Sequence, residues 1–203
     1  MEIDIQALSV IERYKLMIGL VFPRPIALIS TRSPNGVANC APYSYFNAVC
    51  EDPMLVVLSF SNRNDGKPKH SFANLMRTGE CVVNLVDETI ANGMHLSSEE
   101  LPEEESEFSV AGFTEAPALK VGHPRIAEAP ACFECRLYRH IPIGRVRDIV
   151  LAEVVHVHAR DGVVDPKNKR ISEECYVPVG RLFGNRYCTT RQRFDLPGLL
   201  PEK

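Results

Sequence analysis

Short apolar segments separated by turn residues fill residues 25–61, and this pattern restricts the chain to folds rich in paired strands. Asn35-Gly36 lies between two β-compatible runs and predicts a hairpin with a type I′ turn, which needs positive φ at both central residues. Met54 to Phe60 is apolar on both faces, which predicts a central strand covered from both sides. We therefore expect antiparallel strands across this part of the chain.

Alternation of side chains continues in the second half. Odd-numbered residues of 131–138 are apolar and share one face, which predicts a half-buried strand. Short helices are predicted at 72–78, ending at Gly79, and at 88–97, with a strand at 80–86 between them. Without a βαβ rhythm, these elements favour a mainly β fold, a barrel or sandwich with a few peripheral short helices.

Length and charge limit the possible partners. A chain of 203 residues has room for a single domain, 1–203, and its 23 basic and 26 acidic residues give a net charge of −3. We therefore expect no general attraction to nucleic acid or to an anionic membrane. The N-terminus lacks the pattern of a signal peptide, and seven cysteines form no disulfide framework, so a reducing cytoplasmic location is expected. Residues 99–107 are mostly acidic and are predicted to form a solvated loop.

The sequence contains two groups of potential metal ligands. Cys132-x-x-Cys135 lies within a predicted strand, where residues three apart point to opposite faces, so we expect one core thiol, one surface thiol and no metal. His156 and His158 share a strand face with Arg160. They could line the edge of a cofactor or lie on a solvent-facing strand.

Familiar catalytic motifs are missing, since the chain contains no Gly-x-Ser-x-Gly, no Walker loop and no Gly-x-Gly-x-x-Gly. Ser61 to Ser71 combines hydroxyls and cationic side chains just before a predicted helix, which suits a phosphate monoester, although a solvated loop would look the same. Ala38 to Val49 is rich in aromatic and asparagine residues that suit a flavin ring. Tyr43, Tyr45 and Phe46 could equally fill a barrel end or a dimer interface.

Taken together, these segments resemble the flavin reductase-like domain, with the flavoredoxin-like branch as the nearest type. The resemblance rests on Pro23 to Thr31, Asn39 to Asn47, Lys69 to Leu75, Gly79 to Leu85, 148–159 and 177–187. It implies a six-stranded antiparallel Greek-key split barrel that forms a homodimer and binds FMN at the subunit interface. Residues 37–44 depart from the Gly-Met-Thr-Ala-Asn-Ser run of reductases that supply monooxygenases, so FMN binding is implied more strongly than turnover of free flavin.

The resemblance also implies a set of cofactor-binding residues. Two hydroxyls and one segment would hold the ribityl chain and the ring: Ser30, Thr31, Ala41, Pro42, Tyr43 and Ser44. A second group would hold the phosphate: Ser59, Ser61, Arg63, Lys69 and His70. Arg24, Arg181 and Tyr187 would close the pocket.

The implied activity is hydride transfer from NADH or NADPH to bound FMN and on to an acceptor, with a monooxygenase or other redox protein as a possible partner. Two alternatives remain open. The protein could be an electron carrier reduced by a partner protein, or a flavin-binding module without turnover.

Overall fold

The computed structural model describes residues 1–63, 65–144 and 146–196. A short 3₁₀ turn at Ile5–Ala7 precedes the first of four helices, which are α1 Val10–Leu20, α2 His70–Thr78, α3 Ala91–Leu96 and α4 Glu107–Ala111. The strands are β1 Ala27–Arg32, β2 Ala38–Tyr43, β3 Phe46–Glu51, β4 Met54–Ser61, β5 Glu80–Leu85, β6 Glu115–Ala116, β7 Arg125–Ile126, β8 Ala131–Ile143, β9 Arg147–Ala159, β10 Val179–Arg181 and β11 Tyr187–Thr189. Among these residues, no helix combines the length and apolarity needed to span a bilayer.

The main sheet closes into a barrel. Its strands are all antiparallel and lie in the order β2-β1-β5-β8-β9-β4-β3. In a flat sheet the two outer strands would lie roughly 29 Å apart, at about 4.8 Å per step. Only residues 44–45 join β2 to β3, and such a link can span at most about 11 Å. The sheet must therefore curl until its edges meet, which gives the split barrel expected from the sequence.

Two details differ from the sequence expectation. The sheet has seven strands instead of six, because the bend at Ser44-Tyr45 divides β2 from β3. The β1–β2 hairpin is present, but its predicted type I′ turn is wrong. Gly36 has positive φ, at 83°, but Asn35 does not, whereas a type I′ turn needs positive φ at both residues. The loop is instead a turn from Ser33 to Gly36, closed by a hydrogen bond from the Gly36 amide to the Ser33 carbonyl at 3.0 Å, and the Ser33 amide donates to the Val37 carbonyl at 2.9 Å.

Apolar side chains form one core on each face of the sheet. Inside the barrel lie Ile29, Leu58, Val83 and their neighbours from all seven strands, together with α2. Leu28 and Val82, one residue away on the same strands, point outward into a second core beneath α3 and α4. Because both faces of β1 and β5 are covered, apolar residues point to both sides of these strands, and the polar residues Ser30, Thr31 and Asn84 are buried as well.

The double core corrects the interpretation of the cysteine pair. Cys135 lies in the barrel interior and Cys132 in the outer core, so the two thiols do face opposite ways. The expected surface thiol is nevertheless buried, because the second layer covers the outer face of β8. All seven cysteines are free. The predicted helix ending at Gly79 is confirmed as α2, with Gly79 in the left-handed conformation, while the helix predicted at 88–97 is the shorter α3.

Candidate functional site

Two adjoining cavities lie where β2 leaves the barrel. The larger, of about 360 Å³ and here called the main cavity, includes nine predicted residues, which are Arg24, Pro42, Tyr43, Ser44, Ser59, Ser61, Lys69, Arg181 and Tyr187. The smaller, of about 50 Å³ and here called the side pocket, adds Ala41, Arg63 and His70. Pro42, Tyr43 and Lys69 line both. Twelve of the fourteen predicted site residues therefore surround one continuous region.

Ser30 and Thr31 line neither cavity. The Ser30 hydroxyl is buried and donates to the Pro124 carbonyl at 2.5 Å, while the Asn84 amide donates to it at 2.9 Å. Thr31 is also buried, and its hydroxyl donates to the Asn39 side chain at 3.3 Å. Both hydroxyls have partners within the protein, so their part in the structure is to connect neighbouring segments.

Arg24 connects three segments at the wall of the main cavity. Its guanidinium donates to the carbonyls of Ile18 and Val21 at 2.9 and 2.7 Å, at the C-terminal end of α1. It also donates to the Leu182 carbonyl at 2.6 Å and to the Ser44 hydroxyl at 3.3 Å. Burial lowers the pKa of Arg24 from its ordinary value, but a guanidinium stays protonated in proteins. Arg24 thus fixes α1 and the 182–187 turn against the β2–β3 link.

Two pairs of arginine and tyrosine side chains line the main cavity. The Arg181 guanidinium lies 4.6 Å from the centre of the Tyr187 ring and bonds its hydroxyl, which also contacts His95 Nδ1 at 3.1 Å. Arg147 lies 4.2 Å from the centre of the Tyr45 ring. The sequence reasoning missed Arg147, because a single arginine at the start of an alternating strand carries no local signal.

Tyr43 combines a core position with a polar atom at the cavities. Its ring packs edge-on against Phe60 at 4.7 Å inside the barrel, as the barrel-filling alternative foresaw for Tyr43 and Phe46. The hydroxyl is buried and has no hydrogen-bond partner among the described residues. Burial raises the pKa of Tyr43, so the hydroxyl stays protonated. It is available to donate to a group in the adjoining cavity.

Positive charge gathers at the start of α2, beside the side pocket. Arg63 Nη1 lies 2.8 Å from His70 Nε2, and Lys69 occupies the residue before the helix. No side chain among the described residues caps this helix N-terminus, so its first amides remain available to an anion. The Arg63 Nε is buried and lacks a hydrogen-bond partner among the described residues. This group of residues can receive a phosphate.

The acidic segment borders this cationic group and is not simply a solvated loop. Glu99, Glu100 and Leu101 line the side pocket. Glu100 lies 3.7 Å from the Lys69 ammonium and 3.9 Å from Arg63 Nε, distances of ion pairs without close hydrogen bonds. The prediction that residues 99–107 are solvated throughout is wrong, because the charges of Lys69 and Arg63 attract one end and the other end enters α4.

Glu107, at that other end, is buried beneath β2. It accepts from the Asn39 amide at 2.8 Å and from the Cys40 backbone at 3.2 Å. Asn39 in turn accepts from the Ser71 hydroxyl of α2 at 2.8 Å. Burial raises the pKa of Glu107 above its ordinary value of 4.5, against the effect of these two donors. The contacts form a buried network between β2 and the first turn of α2, the two elements that meet at the side pocket.

Comparison with known proteins agrees with this arrangement. The model of the flavin reductase like domain matches residues 18–178. The chain belongs to this family. A protein of Aquifex aeolicus is 40% identical over 174 residues, which cover 86% of this chain and 88% of that protein. The family membership and the mainly β split barrel expected from the sequence are both confirmed.

Two crystal structures share this flavin reductase-like fold over almost their full length. The 2-nitrobenzoate 2-nitroreductase of Pseudomonas fluorescens is 35% identical, with a TM-score of 0.89 over 100% of this chain and 99% of that chain. Nitrilotriacetate monooxygenase component B of Bacillus cereus is 31% identical, with a TM-score of 0.91 over 97% of this chain and 98% of that chain.

The buried network predicts a pH effect on stability. Because the pKa of Glu107 is raised in the folded protein, the folded state binds more protons than the unfolded chain just above pH 4.5, and stability falls as pH rises through that window. Glu107→Gln removes this dependence. As the pH rises through this window, the unfolding free energy of the variant should increase relative to that of the wild type by up to roughly 1 kcal/mol per pH unit. Urea titrations across the window measure it.

Glu104→Gln is the matched control, since Glu104 lies on the exposed part of the same segment. It removes a carboxylate without touching the network. Parallel pH profiles for the wild type and Glu107→Gln would contradict the assignment of this dependence to Glu107.

Proposed function

We propose that this protein binds FMN across the main cavity and the side pocket and acts as an FMN-dependent oxidoreductase. In this proposal, hydride passes from NADH or NADPH to the flavin, and electrons go on to an acceptor. One observation carries the proposal. An uncapped helix N-terminus with Arg63, Lys69 and His70 adjoins a cavity lined by aromatic rings and arginines. A phosphate attached to a flat, conjugated ring matches both parts.

The residues present fit this cofactor. Two buried polar atoms at the cavities, Tyr43 Oη and Arg63 Nε, have no hydrogen-bond partner among the described residues. Leaving such an atom unsatisfied costs about 1–3 kcal/mol. A ligand that carries phosphate and hydroxyl oxygens would supply acceptors to these two donors. Ser59 and Ser61 add hydroxyls along the same wall.

Each group of residues has a task in this proposal. Arg63, Lys69, His70 and the first amides of α2 bind the phosphate, while residues 41–44 hold the ring edge. Tyr45, Tyr187 and the arginines beside them cover the ring and exclude water. Bound FMN would supply the redox chemistry, accepting a hydride and passing electrons on. The chain supplies orientation and positive charge next to the flavin.

We further propose that a second copy completes the site. No residue of α1 is buried, although its apolar side chains include Val10, Met17 and Leu20, exposed by 76, 55 and 76%. Tyr14 and Ile18 of the same helix line the main cavity. A copy packed on α1 would bury this face and close the cavity.

The proposed dimer can be tested by sedimentation. We expect the wild type to sediment as a dimer. The Met17→Glu/Leu20→Glu variant should dissociate into monomers and bind less FMN. A wild-type monomer would contradict this.

A reduced protein of this kind must pass its electrons on. The Bacillus cereus relative is named as a component of a monooxygenase, which favours a partner protein as one acceptor here. The seven free thiols support the proposal that the protein functions in the reducing cytoplasm.

Anaerobic mixing of the FMN-loaded protein with NADH, and separately with NADPH, tests the proposed activity. We expect rapid loss of flavin absorbance with at least one nicotinamide, because the main cavity gives access to the ring. Bleaching only by a reduced protein partner would favour the electron carrier instead. Absence of bleaching by nicotinamide and partner alike would favour a binding module without turnover.

The assignment of the phosphate predicts selective loss of affinity. Arg63→Ala/Lys69→Ala should weaken FMN binding at least about tenfold, since each cation contributes a charge-assisted hydrogen bond. Riboflavin, which has no phosphate, should lose far less. Fluorescence titration of both ligands measures the difference, and an equal loss for the two would refute the assignment.

Two further variants sharpen this test. Lys67→Ala is the matched control, because Lys67 lies in the same loop with its side chain 78% exposed, and it should leave FMN binding unchanged. Glu100→Gln should have the opposite effect and strengthen FMN binding by roughly two- to fivefold, since a weak ion pair no longer competes with the phosphate.

A further inference from the structure

We propose that Glu134, His156 and His158 form a binding site for a divalent transition metal of the zinc class, separate from the flavin cavities. One ligand atom from each of the three residues lies within 4.8 Å of the others. None of the three lines the main cavity or the side pocket. Two imidazoles and one carboxylate are a donor set that Zn²⁺ and its neighbours in the first transition row accept.

The sheet brings these ligands together by its own geometry. His156 and His158 are two residues apart on β9 and therefore point to the same face. Glu134 lies directly opposite His156 on β8, and the chain has a register irregularity just after it, between Glu134 and Cys135. Cys132, opposite His158, shares the face of Glu134 and points into the outer core. Both strands therefore direct their polar side chains to one place.

Glu134 is held in position before any ion arrives. The carboxylate is fully buried and accepts from the backbone amides of Leu119, Lys120 and Val121 at 2.8, 2.5 and 3.1 Å. Its Oε1 also lies 2.5 Å from His158 Nε2. Since three of the four contacts come from the backbone, the fourth can change partner while the carboxylate stays in place. A preorganised carboxylate beside a histidine lowers the cost of assembling a metal site.

The histidines need to move little to accept an ion. Two ligands bonded to zinc at about 2.1 Å lie roughly 3.4 Å apart in a tetrahedral site. The contact between Glu134 and His158 must therefore open by less than about 1 Å, while the wider separation to His156 closes. The rings of His156 and His158 already lie 4.8 Å apart, centre to centre. Their side chains are half-buried and can adjust.

Nearby positive charge is engaged elsewhere. Arg125 and Arg160 border the same cavity as His158, which has a volume of about 390 Å³. Arg125 donates to the Pro117 carbonyl at 3.1 Å, and Arg160 pairs with Asp87 at 3.0 Å. Neither guanidinium is bonded to Glu134, so the carboxylate charge is available to a cation. The cavity leaves room for water as a further ligand.

Zinc retention by the full chain tests this proposal. After treatment with a chelator, the protein is equilibrated with micromolar free Zn²⁺, and bound zinc is counted by mass spectrometry. Cys175→Ser is the background, so that the exposed thiol cannot supply a ligand. We expect about one equivalent of zinc, and a rise in the unfolding temperature when zinc is added, because the ion links β8 to β9.

Three variants decide the outcome. His156→Ala and His158→Gln should each reduce zinc affinity at least about tenfold, and the glutamine can keep the contact with Glu134 so that the fold survives. His140→Ala is the matched control, since His140 pairs with Asp148 at 2.6 Å on the same two strands and is not part of the cluster. Retention of zinc by both site variants, or its absence from the parent protein, would overturn the proposal.

Discussion

The link at Ser44-Tyr45 is the constraint on which the rest of the structure depends. It joins strands at opposite edges of the sheet and so forces the barrel to close. The chain leaves the barrel and re-enters it there, which brings Pro42, Tyr43, Ser44 and Tyr45 to the wall of the main cavity. Arg24 then fixes α1 and the 182–187 turn to this link through Ser44. The link that closes the fold therefore also assembles the candidate site.

Electrostatic balance at the side pocket follows from the same arrangement. A chain with a net charge of −3 concentrates Arg63, Lys69 and His70 at the start of one helix. Glu100 lies close enough to reduce the repulsion between Arg63 and Lys69, yet at 3.7 to 3.9 Å it forms no close hydrogen bond with Lys69 or Arg63 Nε. Such exposed pairs are weak, and an anion with several acceptors can replace them. The acidic segment can therefore compensate the charge without occupying the binding position permanently.

Sequence reasoning predicted which segments surround the candidate site better than it predicted the details of their side chains. Runs such as 39–47 and 69–75 carry local signals of strand, turn and helix start, and they do line the cavities. Contacts distant in sequence carry no such signal. The Ser30 hydroxyl bonds to Pro124 and the Thr31 hydroxyl to Asn39. These contacts, and not the local sequence, account for the absence of both residues from the cavity walls. Arg147 and Glu100 also line the cavities because of contacts distant in sequence: strand order places Arg147 there, and the return of the chain places Glu100 there.

Burial was the other property that local patterns misjudged. Glu107 lies in the acidic run 99–107 and Glu134 lies on the more polar face of the strand predicted at 131–138, and both patterns suggest exposure. A second layer, however, covers the outer side of the barrel. That layer buries Glu107 and Glu134 alike, with opposite effects on their acidity. Burial raises the pKa of Glu107, which has only two donors outside its own backbone. Burial also acts to raise the pKa of Glu134, but hydrogen bonds from the Leu119 and Lys120 amides and from His158 outweigh it, and the pKa falls below its ordinary value.

The number of donors thus decides what a buried carboxylate can do in this fold. With few donors, Glu107 holds its proton to higher pH, and β2 is connected to α2 through a group whose charge can change. With many donors, Glu134 is fixed in place by the 119–121 backbone, and its geometry does not depend on the side chain across the sheet. The first arrangement places a group whose charge can change at the wall of the side pocket. The second provides a rigid negative point at which β8 and β9 can be held together.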